Sequence, residues 1–236
     1  MKYFGIVLLV LSGSTTALAD IDTYLALNVG ASIVDDVHQE ASILSLDSET
    51  LTTNFDFGHT ISVALGVSLS DGYRFEVEAA NQINDLVGRS PTTWCCWING
   101  VTTNPFIRSS AKYEGIHVAV STLLANAYKD FYIVDKFLGY VSGGIGVAYN
   151  EMDQRSYVED GEGRSPVHIN NGEKNAETVL AWQLGAGLGY ELTKEIILNA
   201  GYRYLVTDKA DDTQHSIYQY YEVGSHNVTA GIRYSF

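Results

Sequence analysis

The chain has 236 residues, with 14 Lys+Arg against 28 Asp+Glu and a formal net charge of −14. That balance leaves nothing to neutralise a phosphate backbone and excludes a basic nucleic-acid binder. At 46% hydrophobic and 18% charged residues, with 16 Tyr and 3 Pro, the chain is too apolar and too aromatic to stay disordered.

Lys2, an apolar run from Tyr3 to Leu11 and the small-residue ending Ala17-Leu18-Ala19 predict a signal peptide over 1–19, with a mature chain 20–236 beginning at Asp20. The apolar run is too short for the ~20 residues of a spanning helix. No later stretch offers 18 consecutive apolar residues, which excludes a helical membrane protein. Instead, apolar residues recur at every second position, the period of a strand with two unlike faces. In Asp22 to Ile33, Leu25, Leu27, Val29, Ala31 and Ile33 oppose Tyr24, Ala26, Asn28, Gly30 and Ser32. His59 to Leu69 repeats the pattern, and Ser70-Asp71-Gly72 makes a tight turn. Tyr73 to Gln82 sends Tyr73, Phe75 and Val77 one way and Arg74, Glu76 and Glu78 the other.

The fourth segment, Gly115 to Asp130, sets Ile116, Val118 and Val120 on one face, then turns apolar on both faces near Leu123 and Leu124, where a bulge is expected. Phe137 to Asn150, Thr178 to Leu192, Glu195 to Thr207 and Glu222 to Phe236 complete eight segments. Each is long enough for the ~9–11 residues of a tilted membrane strand.

The connections alternate. Three are short, near 70–72, 132–136 and 193–194; four are long, about 34–58, 83–114, 151–177 and 208–221. A soluble sandwich has no reason to sort its loops this way. A barrel with short periplasmic turns and long external loops does. Side-chain volume decides which face looks inward. An eight-stranded interior admits little more than its own side chains, so the Gly, Ala and Ser face with its few ions must line the axis, and the Leu, Val, Ile and Tyr face must meet lipid. Aromatics then gather at strand ends, with Tyr73, Phe75, Tyr128, Phe131, Tyr190, Tyr234 and Phe236 at the periplasmic rim, and Tyr149, Trp182, Tyr202 and Tyr204 at the outer one. The expected fold is all-β: an eight-stranded antiparallel up-and-down transmembrane β-barrel.

The stretches STLLANAYKDF (121–131), GYVSGGIGVAY (139–149), AWQLGAGLGYELT with NAGYRYL (181–205) and the ending HNVTAGIRYSF resemble the small eight-stranded outer-membrane β-barrel proteins. That group includes the opacity proteins and the transmembrane domain of outer membrane protein A. The resemblance implies a place in the outer membrane of a Gram-negative bacterium, contact with its lipid and lipopolysaccharide, and a C-terminal signal to the outer-membrane assembly machinery in Tyr234 and Phe236. It also leaves the specific role to the external loops.

Chemistry-bearing groups are few. Lumenal Arg74, Glu76, Glu78, Glu191, Arg203 and Arg233 form either a structural charge network or an ion path, and pairing is the usual answer to buried charge. Trp94, Cys95, Cys96 and Trp97 offer an external loop contact, with a crosslink between chains, a strained vicinal disulfide and free thiols all open. Two adjacent thiols are too few for a closed zinc site. Acids such as Asp35, Asp36, Glu151 and Asp153 crowd the long loops without calcium-loop spacing. His226 beside Ser225 suggests a lipid-modifying enzyme, but alternation places the two on opposite faces. The sequence calls for no cofactor, metal or catalytic group. It points to an outer-membrane barrel with a structural, surface-contact role, adhesion included, with a narrow porin for small solutes as the alternative.

Overall fold

The computed structural model describes residues 21–35, 37–41, 49–90, 117–153, 157–158, 167–168, 174–208, 210–211 and 220–236. Eight long strands carry the alternation: β1 (Asp22–Val34), β2 (Gly58–Ser68), β3 (Tyr73–Ser90), β4 (His117–Val134), β5 (Phe137–Asp153), β6 (Lys174–Glu191), β7 (Ile196–Thr207) and β8 (Gly224–Ser235). Each pairs antiparallel with its neighbour in sequence, and β1 closes on β8 from Tyr24↔Ser235 to Val34↔Ser225. Closure leaves the wall without a sheet edge, the condition for a strand protein to sit in hydrocarbon.

Ladder partners followed once round, from Tyr24 through Gly66, Glu76, Asn126, Gly144, Gln183, Leu205 and Ser225, return to β1 at Val34, a stagger of ten residues. A stagger of this kind tilts the strands against the barrel axis. The wall has the polarity of a membrane barrel. Leu27, Val29, Ile61, Val77, Ile145, Leu184 and Val228 are exposed on the outside, while Ser62, Thr122, Asn126, Gln183 and Asn227 are buried inside.

The three short connections lie at one end. Gly72 turns with φ +76°, a conformation that glycine adopts without strain. Asp135 and Lys136 alone join β4 to β5, with Asp135 at φ 39°, a left-handed position that Asp tolerates better than most residues. Between β6 and β7, Thr193 Oγ1 accepts from the backbone N–H of Glu195 (3.2 Å) and of Ile196 (3.1 Å).

Three details depart from the sequence pattern. The bulge expected at Leu123 and Leu124 is absent, both residues holding unbroken register with β3 and β5; the shift falls between Tyr132 and Val134, beside the turn. The double apolarity has another cause: Val118, Val120 and Leu124 are buried in the interior while Leu123 faces out. Strand β3 runs on to Ser90 rather than ending at Gln82, because its far end pairs with Glu49–Phe55, itself paired with Val37–Ala41. The turn placed at 132–136 shrinks to two residues, since Tyr132-Ile133-Val134 is aromatic and β-branched and continues the strand.

Candidate functional site

Among the described residues, the interior is where the fold gathers buried charge. Residues of even number on β1, β3 and β4 and of odd number on β7 and β8 point inward, so alternation alone carries Tyr24, Arg74, Glu76, Glu78, Tyr128, Arg203 and Arg233 to the axis. Nearest the short turns, Arg74 grips Asp130 with two parallel bonds, Nε to Oδ2 at 2.7 Å and Nη2 to Oδ1 at 3.0 Å. Its Nη1 donates to Glu76 Oε1 (2.8 Å) and to Tyr24 OH (3.1 Å), while Tyr24 OH donates to the same Glu76 oxygen at 2.7 Å. Arg233 Nη1 reaches Asp130 Oδ2 at 3.3 Å. The Arg74 guanidinium also lies 4.1 Å from the centroid of Tyr128, well within cation–π range.

One level outward, Arg203 Nη1 donates to both oxygens of Glu78 at 2.6 Å. Ser62 Oγ donates to Glu78 Oε2 at 3.1 Å, and Gln183 Nε2 donates to Asn126 Oδ1 at 2.8 Å. Beyond this layer the interior divides. β1, β3 and β8 supply a chain of amides and hydroxyls in which Ser32 Oγ and Gln82 Nε2 donate to Asn84 Oδ1 (2.9 and 3.0 Å), and Ser225 Oγ donates to Gln82 Oε1 (3.1 Å). β4, β5, β6 and β7 supply the apolar Val118, Val120, Leu124, Ala148, Val179 and Leu205.

Three guanidinium groups therefore face three carboxylates, Glu76, Glu78 and Asp130, and the interior carries no excess charge among the described residues. A buried pair is tolerated when its remaining valences are also bonded, and here each carboxylate has at least two donors. The filling is dense. Among the described residues, two of the voids along the axis have room for about 20 Å³ each, the scale of a single water. Tyr140 shows how volume is balanced, because its hydroxyl occupies the space that a Cβ would need at Gly187 and at Gly201.

Five of the six ions singled out in the sequence meet in this network: Arg74, Glu76, Glu78, Arg203 and Arg233. Glu191 does not. It has the inward parity but sits at the rim, where Tyr132 OH donates to its Oε1 at 2.6 Å. Replacing it by Gln is expected to change unfolding free energy by less than about 0.5 kcal/mol, measured by urea titration in lipid vesicles, because an exposed bond contributes little. Tyr128 belongs inside rather than to the periplasmic rim, its ring buried against Arg74 and tilted on Tyr140.

Asp130, Tyr24 and Tyr140 were not selected from sequence, although parity places all three inward. What parity hides is that the tilt of the strands brings β1, β3, β4 and β8 to one level. Ser225 and His226 are separated as alternation requires, Ser225 buried on Gln82 and His226 outside against Tyr202 and Asp35. Tyr234 and Phe236 are exposed on the outer wall at the short-turn end. Trp94, Cys95, Cys96 and Trp97 lie outside the described residues.

Comparison with known proteins agrees with this architecture. Residues 5–236 match the family described as outer membrane protein beta-barrel domain. An uncharacterised protein of Brucella suis biovar 1 is 28% identical over 203 residues, covering 72% of this chain and 70% of its own length. Outer membrane protein PagN of Salmonella typhimurium is 27% identical over 127 residues, covering 50% of this chain and 51% of the relative. Opacity protein opA57 of Neisseria gonorrhoeae is 26% identical over 155 residues, covering 58% and 60%. The crystal structure of Neisserial surface protein A shares the fold at a TM-score of 0.50, with 19% identity over 91% of this chain and 97% of that one. A closed eight-stranded wall with its apolar side outward, matched over nearly its whole length by that family, makes this chain a member of the outer membrane protein beta-barrel domain family, integral to the Gram-negative outer membrane.

Proposed function

We propose that the protein is a rigid, closed and non-enzymatic scaffold that holds the four long connections following β1, β3, β5 and β7 at the cell surface for contact, adhesion included. The observation that carries this reading is the filled interior: paired ions, an amide chain and an apolar cluster leave voids of about 20 Å³. The narrow-porin alternative needs a continuous path, which such filling does not favour. Reconstituted in planar bilayers, the protein is expected to show no steady open level; a stable, large conductance would defeat the scaffold reading. The opacity and surface proteins among its relatives support contact as the role. The separation of Ser225 from His226 supports the absence of a hydrolytic centre.

In this reading the leader 1–19 is removed, and the exposed Tyr234 and Phe236 address the outer-membrane assembly machinery. Deleting Phe236 should then lower the amount of heat-modifiable protein in outer-membrane fractions severalfold. Trp94, Cys95, Cys96 and Trp97 are the proposed tip for an extracellular ligand. On intact cells a membrane-impermeant maleimide should label Cys95 and Cys96 after mild reduction; protection until the outer membrane is permeabilised would reverse the topology.

A further inference from the structure

The lipid-facing wall carries a polar pair where β3 meets β4. Asn81 and Ser121 stand opposite each other there, and Asn81 Nδ2 donates to Ser121 Oγ at 2.9 Å on the exposed side. Their ladder rung begins at Val29, midway along β1, passes Ile61 and the pair, and ends on Tyr149 of the outer girdle. Both side chains therefore lie between the bilayer centre and the outer interface. Their bond uses one amide hydrogen. It leaves the Asn81 Oδ1 acceptor, the second amide hydrogen and the Ser121 hydroxyl hydrogen unspent, and neither side chain has another hydrogen bond among the described residues. Acyl chains offer these groups no partner, and unmet hydrogen-bonding capacity is costly in hydrocarbon.

The surroundings fit a protein neighbour. From 119 to 127 the outward residues of β4 are Ala119, Ser121, Leu123, Ala125 and Ala127, so Leu123 is a single large side chain in an otherwise shallow strip. Small side chains let two membrane-embedded walls approach closely, and Ser and Asn then bond across the contact. The unspent groups are self-complementary. Under a two-fold axis the Ser121 hydroxyl of each copy donates to the Asn81 Oδ1 of the other, so one patch serves both. The chain that leaves β3 at Ser90 and re-enters β4 at His117 also carries Cys95 and Cys96. Adjacent cysteines, about 3.8 Å apart at Cα, fall short of the usual disulfide span. Two copies joined along β3 and β4 begin and end these connections at their common boundary, which favours thiol pairing between chains. We propose that the wall of β3 and β4, centred on Asn81 and Ser121, is the contact through which two copies of this chain associate within the outer membrane. The contact goes beyond the surface role and needs no ligand on the long connections.

The test is fluorescence resonance energy transfer between donor- and acceptor-labelled copies of the folded protein in vesicles diluted stepwise with lipid. All copies carry Cys95→Ser and Cys96→Ser, so that only the wall holds them together. Transfer should fall with dilution along a monomer–dimer isotherm. Asn81→Leu combined with Ser121→Leu should weaken association about tenfold, the scale of two lost interchain hydrogen bonds. That double variant makes the wall more apolar and should keep the gel shift of the folded barrel. Ala125→Phe, which fills the strip, should weaken association by a similar factor. The matched Ala230→Phe, exposed on β8 across the barrel, should leave it unchanged. With the cysteines restored, mild oxidation of whole cells should give a reducible dimer on electrophoresis that the double variant diminishes. A protein that stays monomeric throughout the dilution leaves the patch to acyl chains or to another protein and overturns the proposal. Association at full strength in both the double variant and Ala125→Phe overturns it as well.

Discussion

Replacing Glu78 by Ala is expected to destabilise the barrel by about 3–5 kcal/mol, because it strands the Arg203 guanidinium at the axis without the carboxylate it pairs with among the described residues. Glu78 is 1% exposed, and both of its oxygens lie 2.6 Å from Arg203 Nη1, with Ser62 and Gln183 supplying the remaining donors. The loss counts twice. The pair's attraction disappears, and the orphaned charge keeps the part of its desolvation cost that the water admitted to the vacated space does not repay. Exchanging both partners together, Glu78→Leu with Arg203→Met, should recover most of that stability, since a filled apolar layer removes the charge with its partner. Urea unfolding in vesicles, followed by the gel shift between folded and unfolded forms, measures both. A single Glu78→Ala variant as stable as the wild type would mean that water reaches Arg203, and that the interior is open where the scaffold reading requires it closed.

The second large effect concerns the other side of the wall. Val29 lies midway along β1, between Leu25 beside Tyr234 at one girdle and Ile33 beside His226 at the other, and it is 59% exposed. In a water-soluble barrel an arginine at such an exposed site would cost almost nothing. In a bilayer it meets the hydrocarbon midplane, and Val29→Arg should cost about 2–4 kcal/mol in the same unfolding experiment. The same change at Ile33, near the interface, should cost about 0–1 kcal/mol. The contrast between the two depths is the signature of the membrane, because a packing defect would not grade with distance from the bilayer centre.

Alternation explains how much of this was legible beforehand. In β1 and β8 one period-two pattern assigns every residue from Leu25 to Val34 and from Ser225 to Phe236 to a face, and backbone geometry permits no other reading. In β4 the pattern failed locally. Val118, Val120 and Leu124 look like a lipid face, yet they fill the interior opposite the amide chain, because the outer part of the lumen is closed by an apolar cluster rather than by small residues alone. Tyr128 misled for the same reason. An aromatic near a strand end reads as a girdle residue, whereas here it is the plate on which Arg74 lies.

What the amino-acid sequence determined by itself is everything that depends on local period and volume: eight strands, the sorting of short and long connections, the side that meets lipid, and the inward direction of Arg74, Glu76, Glu78, Arg203 and Arg233. Partnership was left to the tertiary structure. The ten-residue stagger slides each strand against the next, and only that tilt sets Asp130 between Arg74 and Arg233 and brings Arg203 of β7 to Glu78 of β3, 125 residues away in sequence. Register between neighbouring strands carries Asp35, counted in the sequence among the loop acids, onto His226 and Tyr204, since Ile33 pairs with His226 and His226 with Tyr204. A two-residue period says which face a side chain takes, but contact across a closed sheet depends on register summed around the whole ring, and no single segment contains that sum.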